Sequence, residues 1–300
     1  MTTHKTLIKT EYSRGIFLAL TGAFVLSFDS LLIRLAMVDP WTVLFWRGLL
    51  MGLTLSLVFY RNCRKLPFWE IKIQGSAALA SGILFGVTST GFVISIINTH
   101  VANSVLIFST APMFAAIFTR FILKEEIRAG TWLAILAVMA GVAVVFKGSL
   151  GTGNLMGDLF ALAAAVAVGG NYTILRRRPQ IKRTAVVSLG GFATAALAFF
   201  WAAPLSPDLS SFMVLGLMGM VQMPLASVLL AVSTRKLSSP EVSLFLLLEA
   251  ILGPFWVWLA LRESPPAMTW LGGLIILITL TLYFAPSLRR DTEVKPAHRV

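Results

Sequence analysis

The chain has 300 residues, of which 57% are hydrophobic and only 13% charged, with a mean hydropathy of +0.84. A soluble domain carries about 25% charged residues, so too little charge is present to coat a water-facing surface. The formal charge of +12 invites a nucleic-acid reading, but the placement of the basic residues excludes it.

A bilayer core takes about 20 consecutive apolar residues per helix. In chain order, such windows predict spans over 15–36, 40–60, 75–97, 101–123, 129–147, 157–175, 185–203, 212–232, 240–261 and 267–285. The expected fold is therefore an all-α integral membrane protein with ten transmembrane helices. The first window follows basic residues, as in a signal peptide. It is longer than a typical signal core, contains Asp29 and lacks a small-x-small site, so it is expected to remain as a span. The tails 1–14 and 287–300 are too short to fold alone, and no soluble domain is expected.

All but four of the 25 Lys and Arg residues fall in the N-terminal tail, in 61–74, 120–130, 176–185 and 233–241, and in the C-terminal tail. Ten spans bring all these segments to one face. Arg34, Lys147 and Arg262 fall on the other, and Arg47 lies inside the second span. The excess of basic residues in cytoplasmic loops predicts cytoplasmic N- and C-termini in the inner membrane. Runs such as Arg176-Arg177-Arg178 then read as topology and lipid-headgroup contact, without nucleic acid. Cys63 is the single cysteine, and His4, His100 and His298 are scattered without HExxH, so neither metal nor cofactor is expected. No GxxxxGK[ST] and no clustered nucleophile and base occur, which argues against built-in ATP hydrolysis or enzyme chemistry.

The chain repeats itself. EEIRAGTWLAILAV from Glu125 is similar to ESPPAMTWLGGLII from Glu263, with Trp132 and Trp270 separated by 138. The segment Gly15 to Arg34 is similar to Gly157 to Arg176, aligning Asp29 with Asn171 at a separation of 142. Spans 1–5 thus correspond to spans 6–10, in units over 1–150 and 151–290 with a tail over 291–300. Five is odd, so the second copy crosses the membrane in the opposite sense, an arrangement typical of secondary transporters.

These features resemble the drug/metabolite transporter superfamily, specifically its EamA-type members built from two five-helix repeats. The resemblance rests on Pro112, Glu125 and Gly141 in the first half, and on DPWTVLFWR from Asp39 to Arg47 with its intramembrane Arg. In the second half, Glu249-Ala250 and Arg262-Glu263 stand where the family often has Glu-Pro and Gly-Glu. The resemblance implies transport of a small metabolite, commonly export, with cargoes as varied as amino acids, nucleobases and drugs. A non-transporting scaffold or sensor, or an intramembrane enzyme, is the alternative.

Intramembrane ionisable groups are costly in hydrocarbon and normally face protein or a water-filled cavity. Asp29, Arg47 and Glu249 stand well inside spans. At about 1.5 Å per residue, Asp29 and Arg47 lie at the same depth, about 10 Å below the outer boundary, and can pair. Two readings follow: a permanent ion pair that locks helices together, or a site in which Arg47 holds a substrate carboxylate or phosphate and Asp29 an amine or a proton. Glu249 is a candidate for proton coupling, or else braces a bend near Pro254. Glu125 and Glu263 read as end caps or gate partners for Arg128 and Arg262.

Asn171 and Gln222 carry buried amides that must be satisfied and are expected in a substrate site. Tyr172 and Phe92, with Trp46, could stack on a planar cargo. Thr88, Ser95, Ser109 and Thr110 read as interhelical hydrogen-bonding groups. Pro112, Pro224 and Pro254, with Gly169 and Gly170, are expected hinges or kinks. The expected partners are the small-molecule substrate, membrane lipids and protons, and monomer and homodimer both stay open.

Overall fold

In the computed structural model of the chain, residues 2–98, 104, 107–146, 154–262, 271 and 274–284 are described, and every element among them is helical. The helices are α1 (Thr2–Leu26), α2 (Asp29–Ala36), α3 (Pro40–Cys63), α4 (Phe68–Gln74), α5 (Ser76–Asn98), α6 (Ala111–Phe118), α7 (Ala129–Phe146), α8 (Leu155–Arg177), α9 (Arg183–Ala198), α10 (Leu209–Leu217), α11 (Met223–Ser233), α12 (Ser239–Leu261) and α13 (Leu274–Phe284). Single π-helical turns, Thr119–Leu123 and Met218–Gln222, extend α6 and join α10 to α11.

The starts of the long helices are written in local chemistry. Asp39 accepts a hydrogen bond from the Thr42 N–H at 3.0 Å with Pro40 in the first turn, and Asn154 accepts from the Met156 N–H at 3.1 Å. Ser238 and Glu241 form a reciprocal capping box, which satisfies N–H groups that the helix itself cannot. Several ends close on a non-glycine residue in the left-handed conformation: Met37, Arg64, Lys124 and Arg262.

Six helices among the described residues are long and apolar enough to cross a membrane: Glu11–Ala36, Pro40–Cys63, Ser76–Ser95, Leu155–Arg177, Leu209–Ser233 and Ser239–Leu261. Ala111–Leu123, Ala129–Gly141, Arg183–Ala198 and Leu274–Phe284 are shorter apolar helices. The seventh expected span, 185–203, ends early because the chain turns at Phe199–Trp201 ahead of Pro204, a residue that disfavours helix before it. Glu263 and Trp270, half of the sequence repeat, lie outside the described residues.

The outer surface is apolar, with Phe17, Leu133 and Leu282 about two-thirds exposed, as suits lipid rather than water. Inside, α9 packs along α3 and α5, α8 along α5 and α6, α11 along α1, and α12 against α1 and α6. The contact between α3 and α9 is backbone on backbone. A Cβ on Gly48 would stand 2.7 Å from the Gly191 carbonyl oxygen, and Ser188 Oγ donates to the Gly52 carbonyl at 2.8 Å.

Three charged residues near helix ends are buried, and for Arg183 this goes against the expectation of topology and headgroup contact alone. Arg183 donates to the carbonyls of Arg178 and Pro179 at 3.0 Å and of Ile181 at 2.7 Å, and also to Leu175, tying the α8–α9 loop into one knot. Its five N–H donors match the carbonyls left free at a helix end. Glu70 on α4, a helix absent from the sequence reading, accepts from the Lys182 N–H at 2.9 Å. Glu241 accepts from Tyr12 Oη at 2.6 Å and Tyr283 Oη at 3.2 Å, which joins α1, α12 and α13.

Candidate functional site

The site begins where the first span breaks. Sequence predicts one helix over 15–36, but α1 stops at Leu26 and α2 starts at Asp29, with a turn at Ser27 and Phe28. The break frees carbonyls at the end of α1. Gln222 Nε2 donates to the Val25 and Leu26 carbonyls at 3.2 and 3.3 Å. Trp256 Nε1 donates to Ser27 Oγ at 2.9 Å, and the Phe28 ring stacks on Trp256 with centroids 4.6 Å apart. The consequence is a carboxylate in the first turn of α2, where the helix dipole favours negative charge.

Arg47 on α3 meets that carboxylate. Its Nη1 lies 2.8 Å from Asp29 Oδ2 and 3.2 Å from Oδ1, and its Nη2 donates to Ser89 Oγ on α5 at 2.8 Å. Both side chains are buried, and Arg47 Nε has no hydrogen-bond partner. Asp29, Arg47 and Ser89 line a cavity of about 100 Å³ together with Phe92, Asn171, Tyr172 and Glu249. Phe85, Val186 and Leu246 supply apolar wall. That volume holds several waters or a small solute.

Glu249 on α12 is half-buried and faces the electrostatic influence of both Asp29 and Arg47. It has no hydrogen bond or ion pair among the described residues. Asn171 Oδ1 accepts from Ser81 Oγ at 2.6 Å, which leaves its amide N–H groups for other partners. Phe92 lies against Phe108, with ring centroids 4.7 Å apart.

Other expected site residues lie elsewhere. Gln222 does not line the cavity, since its amide is engaged with the α1 break. Trp46 Nε1 donates to the Pro204 carbonyl at 3.0 Å and so holds the loop after α9. Glu125 pairs with Arg176 at 3.7 Å rather than with Arg128. Among the expected hinges, Pro112 follows a turn at Ser109–Thr110 and Pro224 follows the Met218–Gln222 π turn, so both stand at real interruptions. The α12 backbone stays helical through Pro254, and α8 runs unbroken through Gly169 and Gly170. Gly169 serves close packing instead: a Cβ there would lie 2.8 Å from the Ala115 N of α6.

Sequence reading missed Ser89, Ser81 and the turn at Ser27–Phe28. The available signal was the Ser-Phe-Asp-Ser run inside an apolar span, the residue types that end one helix and begin another.

Apolar outer surfaces around a largely apolar cavity that carries Asp29, Arg47 and Glu249 define a multi-pass membrane protein with an internal site. The model of the EamA-like transporter family matches the chain twice in tandem, over 13–147 and 155–285, and the chain belongs to that family, one of transporters rather than enzymes. It is 25% identical over 199 residues to an uncharacterized transporter of Clostridium kluyveri, a match covering 62% of this chain and 61% of that one. It is 23% identical over 231 residues to an uncharacterized transporter of Synechocystis sp., covering 71% of this chain and 64% of that one. The chain thus spans less than two-thirds of the length of either relative. One solved crystal structure superimposes with a TM-score of 0.77 at 16% identity, covering 92% of this chain and 99% of that chain, a likeness of fold.

Proposed function

We propose that the chain is a secondary transporter of ten membrane helices, arranged as two inverted five-helix halves over 1–150 and 151–290, that exports a small organic solute by alternating access. The cargo would sit among Asp29, Arg47, Phe92, Asn171 and Tyr172, with Glu249 carrying a coupling proton. The observation that bears most on this reading is Glu249, without a hydrogen bond or ion pair among the described residues, facing an Asp29–Arg47 pair that already neutralises itself. Two carboxyls against one guanidinium leave one negative charge to be balanced by a proton or by a cationic group of the cargo, and a solute that displaces the proton is thereby coupled to it.

The repeat has further support. Lys124 and Arg262 both end their helices in the left-handed conformation, each directly before a Glu in sequence, at the same separation of 138 as Trp132 and Trp270. Helices from both proposed halves, α3 and α5 from one and α8, α9 and α12 from the other, contribute lining residues. Relative rocking of the halves would therefore open the cavity to alternate faces. The basic loops would lie in the cytoplasm of an inner-membrane protein with both termini inside.

The test is flux in proteoliposomes, screening radiolabelled amino acids, nucleobases and organic cations with and without a pH gradient. Wild type moves at least one cargo, with a rate set by the gradient, and Glu249→Gln retains a folded, cargo-binding protein whose flux ignores it. No flux of any cargo class refutes transport, and gradient-independent wild-type flux removes the proton from Glu249. An alkaline phosphatase fusion at the C-terminus that proved active would refute the orientation.

A further inference from the structure

A second cleft of about 510 Å³ lies away from the central cavity, at the ends of helices rather than in their middle. Its walls carry Arg176 and Arg177 from the last turn of α8, Arg235 from the turn before α12, and Ile122, Leu123 and Glu125 from the end of the π turn. Three guanidiniums face one carboxylate. Arg176 alone approaches Glu125, at 3.7 Å, and also donates to the Arg235 carbonyl at 3.4 Å, while the Arg235 guanidinium makes a single 3.3 Å contact to the Ile181 carbonyl. Arg177 has no ion pair or hydrogen bond among the described residues and is exposed. The cleft therefore holds an excess of two positive charges whose donors are largely unspent.

Its floor is the opposite in character. Ile122 is 46% exposed and the adjoining Phe121 is 76% exposed. A neighbouring depression shares Ile122 and Arg177 and adds Ala77 and Ile174. Positive donors at the helix ends, beside exposed apolar side chains, complement an amphiphile with an anionic head.

We propose that this cleft binds the phosphate group of an anionic phospholipid, with Arg177 and Arg235 donating to its oxygens and an acyl chain lying over Phe121 and Ile122. Arginine suits the role because its planar fork meets two phosphate oxygens at once. Ile122, Leu123 and Glu125 belong to the first family match, and Arg176, Arg177 and Arg235 to the second, so the lipid bridges the seam between them. The site depends on neither the cargo nor the coupling ion.

The experiment uses the full chain in detergent, with native mass spectrometry during titration of phosphatidylglycerol or phosphatidylcholine, and inorganic phosphate as a competitor. Wild type retains phosphatidylglycerol in preference to phosphatidylcholine. The Arg177→Ala/Arg235→Ala variant binds it roughly thirtyfold more weakly, since each basic residue near a lipid headgroup contributes about fivefold. Arg120→Ala, outside the cleft, binds as wild type and reports any general charge effect. The Arg177→Lys/Arg235→Lys variant recovers part of the affinity, which a merely misfolded protein would not. Equal binding of the two lipids, or unchanged phosphatidylglycerol binding in the double alanine variant, overturns the proposal. Displacement of the lipid by millimolar inorganic phosphate overturns the lipid as occupant and assigns the same donors to a soluble anion.

Discussion

Arg47→Met is the most informative single perturbation, because it removes one partner of a buried pair while keeping much of the side-chain volume. The substitution deletes the contacts of Nη1 to both Asp29 oxygens and of Nη2 to Ser89. A buried charge stripped of its partner costs about 3–5 kcal/mol. The position of Asp29 in the first turn of α2 returns up to about 1 kcal/mol. The net penalty is therefore about 2–4 kcal/mol. Reversible unfolding in mixed micelles, comparing wild type, Arg47→Met and Asp29→Asn/Arg47→Met, should show that penalty in the single variant, with the double variant the more stable of the two. A penalty below about 1 kcal/mol, or a double variant no more stable than Arg47→Met, would refute the view that Arg47 compensates the burial of Asp29.

Gln222→Leu should destabilise the fold by about 1–2 kcal/mol, because the Val25 and Leu26 carbonyls lose their donor while the unpartnered Gln222 Oε1 disappears with it. The same unfolding assay measures it, and no change would mean that the break in the first span does not depend on Gln222. Gly48→Val should cost about 3 kcal/mol or more, since its Cβ meets the Gly191 carbonyl and the Ala195 N of α9, backbone atoms that cannot step aside. Gly216→Ala, with nothing within 4 Å of the new methyl group, should be neutral within about 0.5 kcal/mol. Asp208 caps α10 by accepting from Ser211 and Ser210, which holds its carboxyl down at about 2. Its contribution is present above the unperturbed value of about 3.9 and is lost as pH falls from there through about 2. Asp208→Asn should flatten the stability profile in that window and nowhere above it.

Legibility in the sequence divides by physical cause. The six long apolar spans were readable because hydrocarbon demands long apolar runs; the caps at Asp39, Asn154 and Ser238 with Glu241 were not read from the sequence, although each acts within one turn. The depth match of Asp29 and Arg47 was readable because helical rise per residue is fixed, and the pair forms at 2.8 Å. Helix rotation was another matter. These helices are apolar nearly all round, so no polar stripe reveals which face is inward. Asn171, Tyr172 and Phe92 turn toward the cavity, while Gln222 and Trp46 turn to backbone carbonyls elsewhere, and residue type alone does not distinguish the two outcomes.

Composition, charge placement and internal repetition, all properties of the linear chain, determined a membrane protein with duplicated halves. Only the tertiary structure decided where the first span breaks, because the groups that satisfy the break, Gln222 and Trp256, come from about 200 residues away in sequence. It likewise decided that Arg183 is a buried fastening rather than a headgroup contact. A basic or acidic residue in a loop is assigned to solvent by sequence rules, and is overruled only when other segments bring free carbonyls and N–H groups within reach.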